Sequence, residues 1–464
     1  MKIYNTLSNK KDVFKPINGK KVNLFVCGPT VYDYSHIGHA RNYIIFDSFV
    51  KYLKSQGFSV FYLQNITDID DKIIARARQK GVSPKDLAVA FEKEYFKDMK
   101  ALGVDSVSKY ARATSYIKEI ISQVKRLQEK GFAYEIKEDG IYFDILKFKK
   151  YGKLSGRTAL GAEDAVSRID YSKDKKNRGD FCLWKFKQES VEPSWSAPFG
   201  EGRPGWHIED TAITEKFFGA QYDIHGGARD LIFPHHEAEI AQMEAVSGKS
   251  PLVKYWMHVG FLTVSGQKMA KSQGNFITIN DFLKRVPANY LRFFVVKNLW
   301  SSPVAYSESV LIEIRSAVEK IEELLRKLKA VKETKSSKEV SKLIKDLKIN
   351  FYKELEDDFN TPKAFAVMFE FISKVNGLLD QNLISKKDAG EIYKFFQDMN
   401  KIFGIINFKK VNKTIPGEIK KLVKERETHR KNKDWQKADQ VRQQIEKHGY
   451  AVQDSDTGPV IKSL

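Results

Sequence analysis

Val22-Asn23-Leu24-Phe25-Val26-Cys27-Gly28-Pro29 is the stretch on which the fold turns. Its first six residues are a short, mostly apolar run, and Gly28-Pro29 ends it, which predicts a strand followed by a turn. A helix-period segment follows from about residue 38 to residue 55, with Ile44, Ile45, Phe49 and Leu53 on its apolar side. Phe58-Ser59-Val60-Phe61-Tyr62-Leu63 then predicts a second strand. Strand, helix and strand within about forty residues make a βαβ unit, so the expected fold class is α/β, with a parallel sheet and a right-handed crossover.

Beyond this unit the character changes. From about residue 106 to residue 199, charged Gly-containing stretches such as Tyr151-Gly152-Lys153-Leu154-Ser155-Gly156-Arg157 predict an insertion between two halves of the sheet domain. Sheet and helix signals resume at Gly205. After Ser307, Leu311, Ile314, Val318, Ile321, Leu325 and Leu328 follow at alternating spacings of three and four, an amphipathic helix suited to a bundle. Residues 332–338 are polar and read as a loop, and further helical runs extend to about residue 405. From Lys409 onward there are fourteen Lys and Arg against eight Asp and Glu, so a small basic domain or tail is expected.

The whole chain of 464 residues carries 79 Lys and Arg against 59 Asp and Glu, a net charge of +20. Such length exceeds one ordinary core and implies roughly two to four domains. The charge points to a polyanionic partner, nucleic acid or nucleotide before membrane. A lysine-rich genome would produce the same excess, so charge alone decides nothing. Met1-Lys2-Ile3-Tyr4-Asn5-Thr6 has no signal-peptide core, no run has the length of a membrane helix, and two cysteines cannot make a disulfide framework. A cytoplasmic protein with no membrane partner is expected.

Two short motifs carry the chemistry. His36-Ile37-Gly38-His39 sits where the first strand gives way to the first helix. Backbone N–H groups at a helix N-terminus favour phosphate, Gly38 allows close approach of a nucleotide, and two imidazoles can donate to phosphate oxygens. Far downstream, Lys268-Met269-Ala270-Lys271-Ser272 precedes Gln273-Gly274-Asn275. Two lysines in a mobile loop can close over a triphosphate and stabilise departing pyrophosphate. Either motif alone is weak; the pair in this order is informative.

That pair resembles the signature of class I aminoacyl-tRNA synthetases, and the rest of the chain is similar to the cysteinyl-tRNA synthetase family. The resemblance runs through Cys27-Gly28-Pro29-Thr30-Val31-Tyr32-Asp33, Asn65-Ile66-Thr67-Asp68-Ile69-Asp70-Asp71-Lys72 and Arg112-Ala113-Thr114. It continues in Asp180-Phe181-Cys182-Leu183-Trp184-Lys185, Gly202-Arg203-Pro204-Gly205-Trp206-His207-Ile208-Glu209 and Phe233-Pro234-His235-His236-Glu237. Asp357-Asp358-Phe359-Asn360-Thr361-Pro362 and the tail residues Lys433-Asp434-Trp435 and Ala438-Asp439 extend it over nearly the whole chain.

The resemblance implies a Rossmann-type catalytic domain in two halves, residues 1–110 and 201–245, split by a connective insertion over 111–200. A stem-contact region with the lysine loop (246–306), a helical bundle (307–408) and an anticodon-binding domain (409–464) would follow. The implied activity is ATP-dependent activation of L-cysteine to the adenylate and its transfer to tRNA(Cys), by a monomer using Mg²⁺ with ATP. His36, Gly38, His39, Lys268 and Lys271 would bind ATP and, glycine aside, stabilise the transition state. Thr67, Trp206, His207 and Asp230 would close around the cysteine. Rival readings are a cysteine ligase acting on a small amine and an inactive tRNA-binding paralogue.

The family holds Zn²⁺ with two cysteines, a histidine and a glutamate. The matching positions here are Cys27, Asp210, His235 and Glu239, so Asp210 stands where a second cysteine is usual. Read from the residues, Cys27 lies at the carboxyl end of a strand, where open α/β sheets bind ligands. His235 and Glu239, four apart, share a helix face, and thiolate, imidazole and carboxylate are all acceptable zinc ligands. A buried structural cysteine with His235 and Glu239 pairing locally would fit those residues too. Cys182 is expected to be core packing.

Overall fold

The computed structural model describes residues 1–157, 172–190, 192–269, 275–332, 337–412, 416–454 and 459–463. The chain divides into two compact units, Met1–Ile406 and Asn407–Leu464.

In the first unit the Lys21–Val26 strand, the Ile37–Ser55 helix and the Ser59–Ile66 strand form the expected βαβ unit, with Val22 opposite Val60 and Phe25 opposite Leu63 in parallel register. The full sheet has five parallel strands in the order Val253–Val259, Tyr222–Ala228, Lys21–Val26, Ser59–Ile66, Lys109–Arg112. The chain therefore builds one way from Lys21–Val26 and later returns to build the other way. The gap at the carboxyl ends of Lys21–Val26 and Tyr222–Ala228 is the switch point of such a sheet, where ligands bind.

Between the two halves lies a four-stranded antiparallel sheet, Ala133–Ile136, Gly140–Phe143, Phe181–Phe186 and Gly202–Pro204. Cys182 is buried there against Ile136 and Tyr142, the core role its position suggested. After the parallel sheet come long amphipathic helices, Glu308–Lys329, Lys338–Glu356, Thr361–Asp380 and Lys386–Phe403. Ile314, Val318, Ile321, Leu325 and Leu328 of the first are all buried, as the three-and-four spacing requires.

The Ile37–Ser55 helix departs from its expected one-sided pattern. Arg41, Asn42, Asp47 and Ser48 are as buried as its apolar residues, because the sheet covers one side and later helices cover the other. The buried charges are hydrogen-bonded, and Asp47 is also paired with Arg292. Arg41 donates to the carbonyls of Phe261, Leu299 and Trp300, and Arg292 reaches Asp47 at 2.8 Å and the Phe403 carbonyl at 2.6 Å. Burial alone would raise the Asp47 carboxyl; Arg292 and Lys51 outweigh it and hold it below its ordinary range. The Arg41 contacts fix the amino half of this helix, which carries the histidine motif, against Phe261 ahead of the lysine loop and against Leu299 and Trp300.

The second unit has its own small core. Ile419 and Val423 of the Gly417–Lys431 helix pack with Val441 and Ile445 of Trp435–Lys447, and with Tyr450 and Val452 of an antiparallel hairpin. Among the described residues, no helix of either unit is long and apolar enough to cross a membrane.

Candidate active site and metal centre

His36 is the N-cap of the Ile37–Ser55 helix. Its Nδ1 accepts from the amides of Gly38 (3.0 Å) and His39 (3.3 Å), and Nδ1 of His39 accepts from the His36 amide (3.2 Å). The two rings stack with centroids 3.8 Å apart. With both Nδ1 atoms accepting, each neutral ring carries its proton on Nε2. Burial lowers His39 to about 4, against the opposing pull of Asp230, so it is neutral at physiological pH.

This cap changes the expected chemistry of the motif. The helix-terminal amides of Gly38 and His39 are taken by His36, and the Ile37 amide donates to Ile277 O at 3.1 Å. The donors the motif offers a phosphate are therefore imidazole N–H groups rather than these amides. Gly38 is demanded by the cap itself: a Cβ there would lie 2.8 Å from the His36 ring and 2.9 Å from Met269 Cε.

Met269 is where the lysine loop meets the histidine motif. Lys268, the residue before it, pairs in antiparallel fashion with Thr263. On the far side of the loop, Phe276 packs edge-on against His36 (5.1 Å), Thr278 bridges to His36, and the Ile279 amide donates to Ser35 O at 2.9 Å. Both flanks of the loop are thus anchored on residues 35–38. Lys271 and the Lys268 side chain lie outside the described residues.

A cavity of about 530 Å³ opens at the switch point, lined by Cys27, His36, Gly38, His39, Thr67, Trp206, Asp210, Asp230 and His235. Gly28 turns the chain into it; a Cβ at this position would collide with the Asn65 carbonyl at 1.7 Å. The Thr67 hydroxyl donates to Glu209 Oε1, which also accepts from Asn65 Nδ2 at 3.3 Å. Trp206 stacks on His235, centroids 4.4 Å apart. His207 does not reach the cavity: it is buried behind His235, the two Nδ1 atoms 2.8 Å apart. Its contact is with the ring that faces the cavity.

Cys27, Asp210, His235 and Glu239 converge beneath this floor, with one ligand atom from each inside a 4.8 Å sphere of separation. The Ile208–Phe218 helix supplies Asp210, and the His235–Ser247 helix supplies both His235 and Glu239. His235 Nε2 is 2.9 Å from Asp210 Oδ2 and 3.2 Å from Glu239 Oε1. Burial raises the Cys27 thiol well above its ordinary value, with Asp210 and Glu239 adding to it. Burial and then Asp210 raise Glu239 likewise. Both Glu239 oxygens and Asp210 Oδ1 are buried without a hydrogen-bond partner among the described residues. Orphaned buried carboxylate oxygens are costly unless a cation joins them, so this donor set fits a metal ion.

Behind the tetrad is a histidine cluster that sequence reasoning missed. His225 Nε2 and His236 Nε2 lie 3.3 and 3.1 Å from Cys27 Sγ, and His236 Nδ1 lies 2.7 Å from His258 Nε2. Burial holds His225 and His236 well below their ordinary values and His258 at about 3. The available signal was positional. His225 lies on a strand that ends at the switch point, as Cys27 does, and His236 adjoins His235.

A five-stranded parallel sheet with the His36-Ile37-Gly38-His39 motif at its switch point has the architecture of a class I aminoacyl-tRNA synthetase. Residues 13–316 match the family described as "tRNA synthetases class I (C) catalytic domain", residues 350–407 a "DALR domain", and residues 412–458 a "Cysteinyl-tRNA ligase anticodon binding domain". The fold is shared with Mycobacterium tuberculosis methionyl-tRNA synthetase in complex with methionyl-adenylate (TM-score 0.62, 14% identity, 82% of this chain and 89% of that one). It is also shared with the LeuRS–tRNA–LeuAMS complex of Agrobacterium radiobacter K84 (TM-score 0.63, 11% identity, 84% of each chain). The sequence is 44% identical to a cysteine–tRNA ligase of Thermoplasma volcanium over 98% of both chains. It is 43% identical to that of Thermococcus gammatolerans over 100% of this chain and 99% of the relative. The chain belongs to the cysteine–tRNA ligase family.

Proposed function

We propose that the residues gathered at the switch point perform cysteine–tRNA ligation as follows. The enzyme activates cysteine with ATP and charges tRNA(Cys). Cysteine lies in the cavity with its sulfur toward Cys27, Asp210 and His235, between Thr67, Trp206 and Asp230, while His207 steadies His235 from behind. The cysteine carboxylate attacks the ATP α-phosphate. His36 and His39 donate from Nε2 to the phosphate oxygens, and Lys268 and Lys271 neutralise the departing pyrophosphate, with Mg²⁺ accompanying ATP. A ribose hydroxyl of the terminal adenosine of tRNA then attacks the adenylate carbonyl, forming the ester as the carbonyl–phosphate C–O bond breaks and AMP leaves.

Zn²⁺ held by Cys27, Asp210, His235 and Glu239 would supply a thiophilic Lewis acid that accepts cysteine sulfur and rejects the serine hydroxyl. Discrimination by coordination can exceed the roughly 1–3 kcal/mol available from a methylene-sized difference. What supports this reading is the cavity, whose lining includes His36, Gly38 and His39 together with Cys27, Asp210 and His235 of the tetrad.

Residues 246–306 contact the tRNA stem, the residues after Ser307 form the tRNA-binding arm, and within them the unit from Asn407 onward reads the anticodon, its basic charge supplying phosphate contacts. The protein acts as a cytoplasmic monomer. Cysteine-dependent ATP–pyrophosphate exchange, followed by aminoacylation of unfractionated tRNA, tests the whole scheme. Exchange without tRNA charging would indicate a small-amine ligase, and neither activity an inactive paralogue.

A further inference from the structure

We propose that Cys27, His225, His236 and Glu239 form a second, enclosed metal seat beneath the one that opens on the cavity, and that a zinc-like ion occupies it while no cysteine is bound. The ligand atoms of these four buried residues lie within 4.8 Å of one another. Both imidazoles aim Nε2 at Cys27 Sγ, from 3.3 and 3.1 Å. Their far nitrogens are held as metal-binding histidines require, by hydrogen bonds that fix ring orientation. Tyr222 Oη is 2.6 Å from His225 Nδ1, and His258 Nε2 is 2.7 Å from His236 Nδ1. His258 is held in turn by Thr6 Oγ1 at 2.8 Å. Trp256, stacked on His225 with centroids 4.4 Å apart, gives the seat an apolar wall.

Donor chemistry and charge both favour this inner seat in this particular chain. The outer tetrad offers one sulfur, one nitrogen and two oxygens, because Asp210 supplies carboxylate. The inner tetrad offers one sulfur, two nitrogens and one oxygen, a better match for a borderline-soft divalent ion. With Cys27 as thiolate and Glu239 as carboxylate, the inner seat plus a divalent ion is neutral. The outer seat, with Asp210 added, carries a net negative charge and opens on the cavity, so only the inner seat is both neutral and enclosed. Glu239 faces both seats: Oε1 is 3.2 Å from His235 Nε2 and 4.0 Å from His236 Nε2. Since Cys27 and Glu239 are shared, one ion excludes another. His225, His236 and Glu239 do not line the cavity, so a substrate sulfur can reach only the outer seat and makes up there the softness that Asp210 lacks.

Zinc-edge X-ray absorption on the full-length protein, loaded with one equivalent of Zn²⁺ and free of cysteine, tests this directly. The inner seat gives one sulfur, two imidazoles and one oxygen. One sulfur, one imidazole and two oxygens would overturn it while leaving the outer seat of the proposed mechanism intact. Failure to retain zinc would overturn both.

Discussion

His36 does two separable jobs, and Asn at this position should keep one while abolishing the other. Its Nδ1 caps the Ile37–Ser55 helix through amides at 3.0 and 3.3 Å, and its Nε2–H serves the cavity. Asparagine is among the best N-caps, so His36→Asn should change stability by only about 0.5 kcal/mol, whereas His36→Ala should cost about 1 kcal/mol, given two rather long cap bonds. Neither replacement donates from the position of Nε2. Removing one preorganised donor to a developing negative charge costs about 100- to 1,000-fold in rate. Single-turnover adenylate formation should therefore fall by that factor in both variants, while the chemical-denaturation midpoint falls only in His36→Ala. Wild-type adenylation in His36→Asn would refute the donor role. Equal destabilisation of the two variants would refute the cap.

Further outcomes follow from the same site. Lys268→Ala and Lys271→Ala should each slow adenylation by about tenfold or more while leaving cysteine affinity unchanged, because their charge matters where pyrophosphate charge develops; unchanged pre-steady-state rates would remove the loop from the mechanism. A chain ending at Ile406 should retain pyrophosphate exchange but charge tRNA weakly and with a shallower salt dependence, since fewer phosphate contacts release counterions; charging equal to the full chain would sink that role. Elemental analysis should find about one Zn²⁺ per chain, with cysteine activation lost on chelation and zinc held more tightly in Asp210→Cys, because a second thiolate suits the metal better. Zinc affinity should also rise with pH. Burial raises the Cys27 thiol above its already high ordinary value and pushes the Glu239 carboxyl in the same direction, so the thiol at least must lose its proton to bind. Each proton released makes affinity climb by about tenfold per pH unit until that group is ionised; a flat profile by competition with a zinc indicator would refute the assignment of these ligands.

Local information was enough for much of this molecule. The Val22–Cys27 run, the turn at Gly28-Pro29 and the apolar spacing through Leu53 specify a βαβ unit, because side-chain periodicity is set by the backbone geometry of each element. The alternating spacing from Leu311 to Leu328 specifies an amphipathic helix for the same reason. Cys27, His235 and Glu239 are legible as candidate ligands only through the family resemblance, because a strand terminus and an i, i+4 pair in a linear string fit a buried cysteine beside a locally paired histidine and glutamate equally well.

Tertiary structure alone decided the rest, since contacts between distant residues leave no periodic trace. Arg292 and Asp47, 245 residues apart, bury the polar side of a helix whose pattern predicted one exposed face. Only the fold showed that His36 spends its Nδ1 on the amides that were expected to hold phosphate, that His207 stands behind His235, and that Met269 rests on Gly38. The histidines behind Cys27 are the plainest case. His225 in its apolar strand and His236 beside His235 carry a positional signal and nothing more, and it took the crossing of that strand by the His235–Ser247 helix to set both against one sulfur.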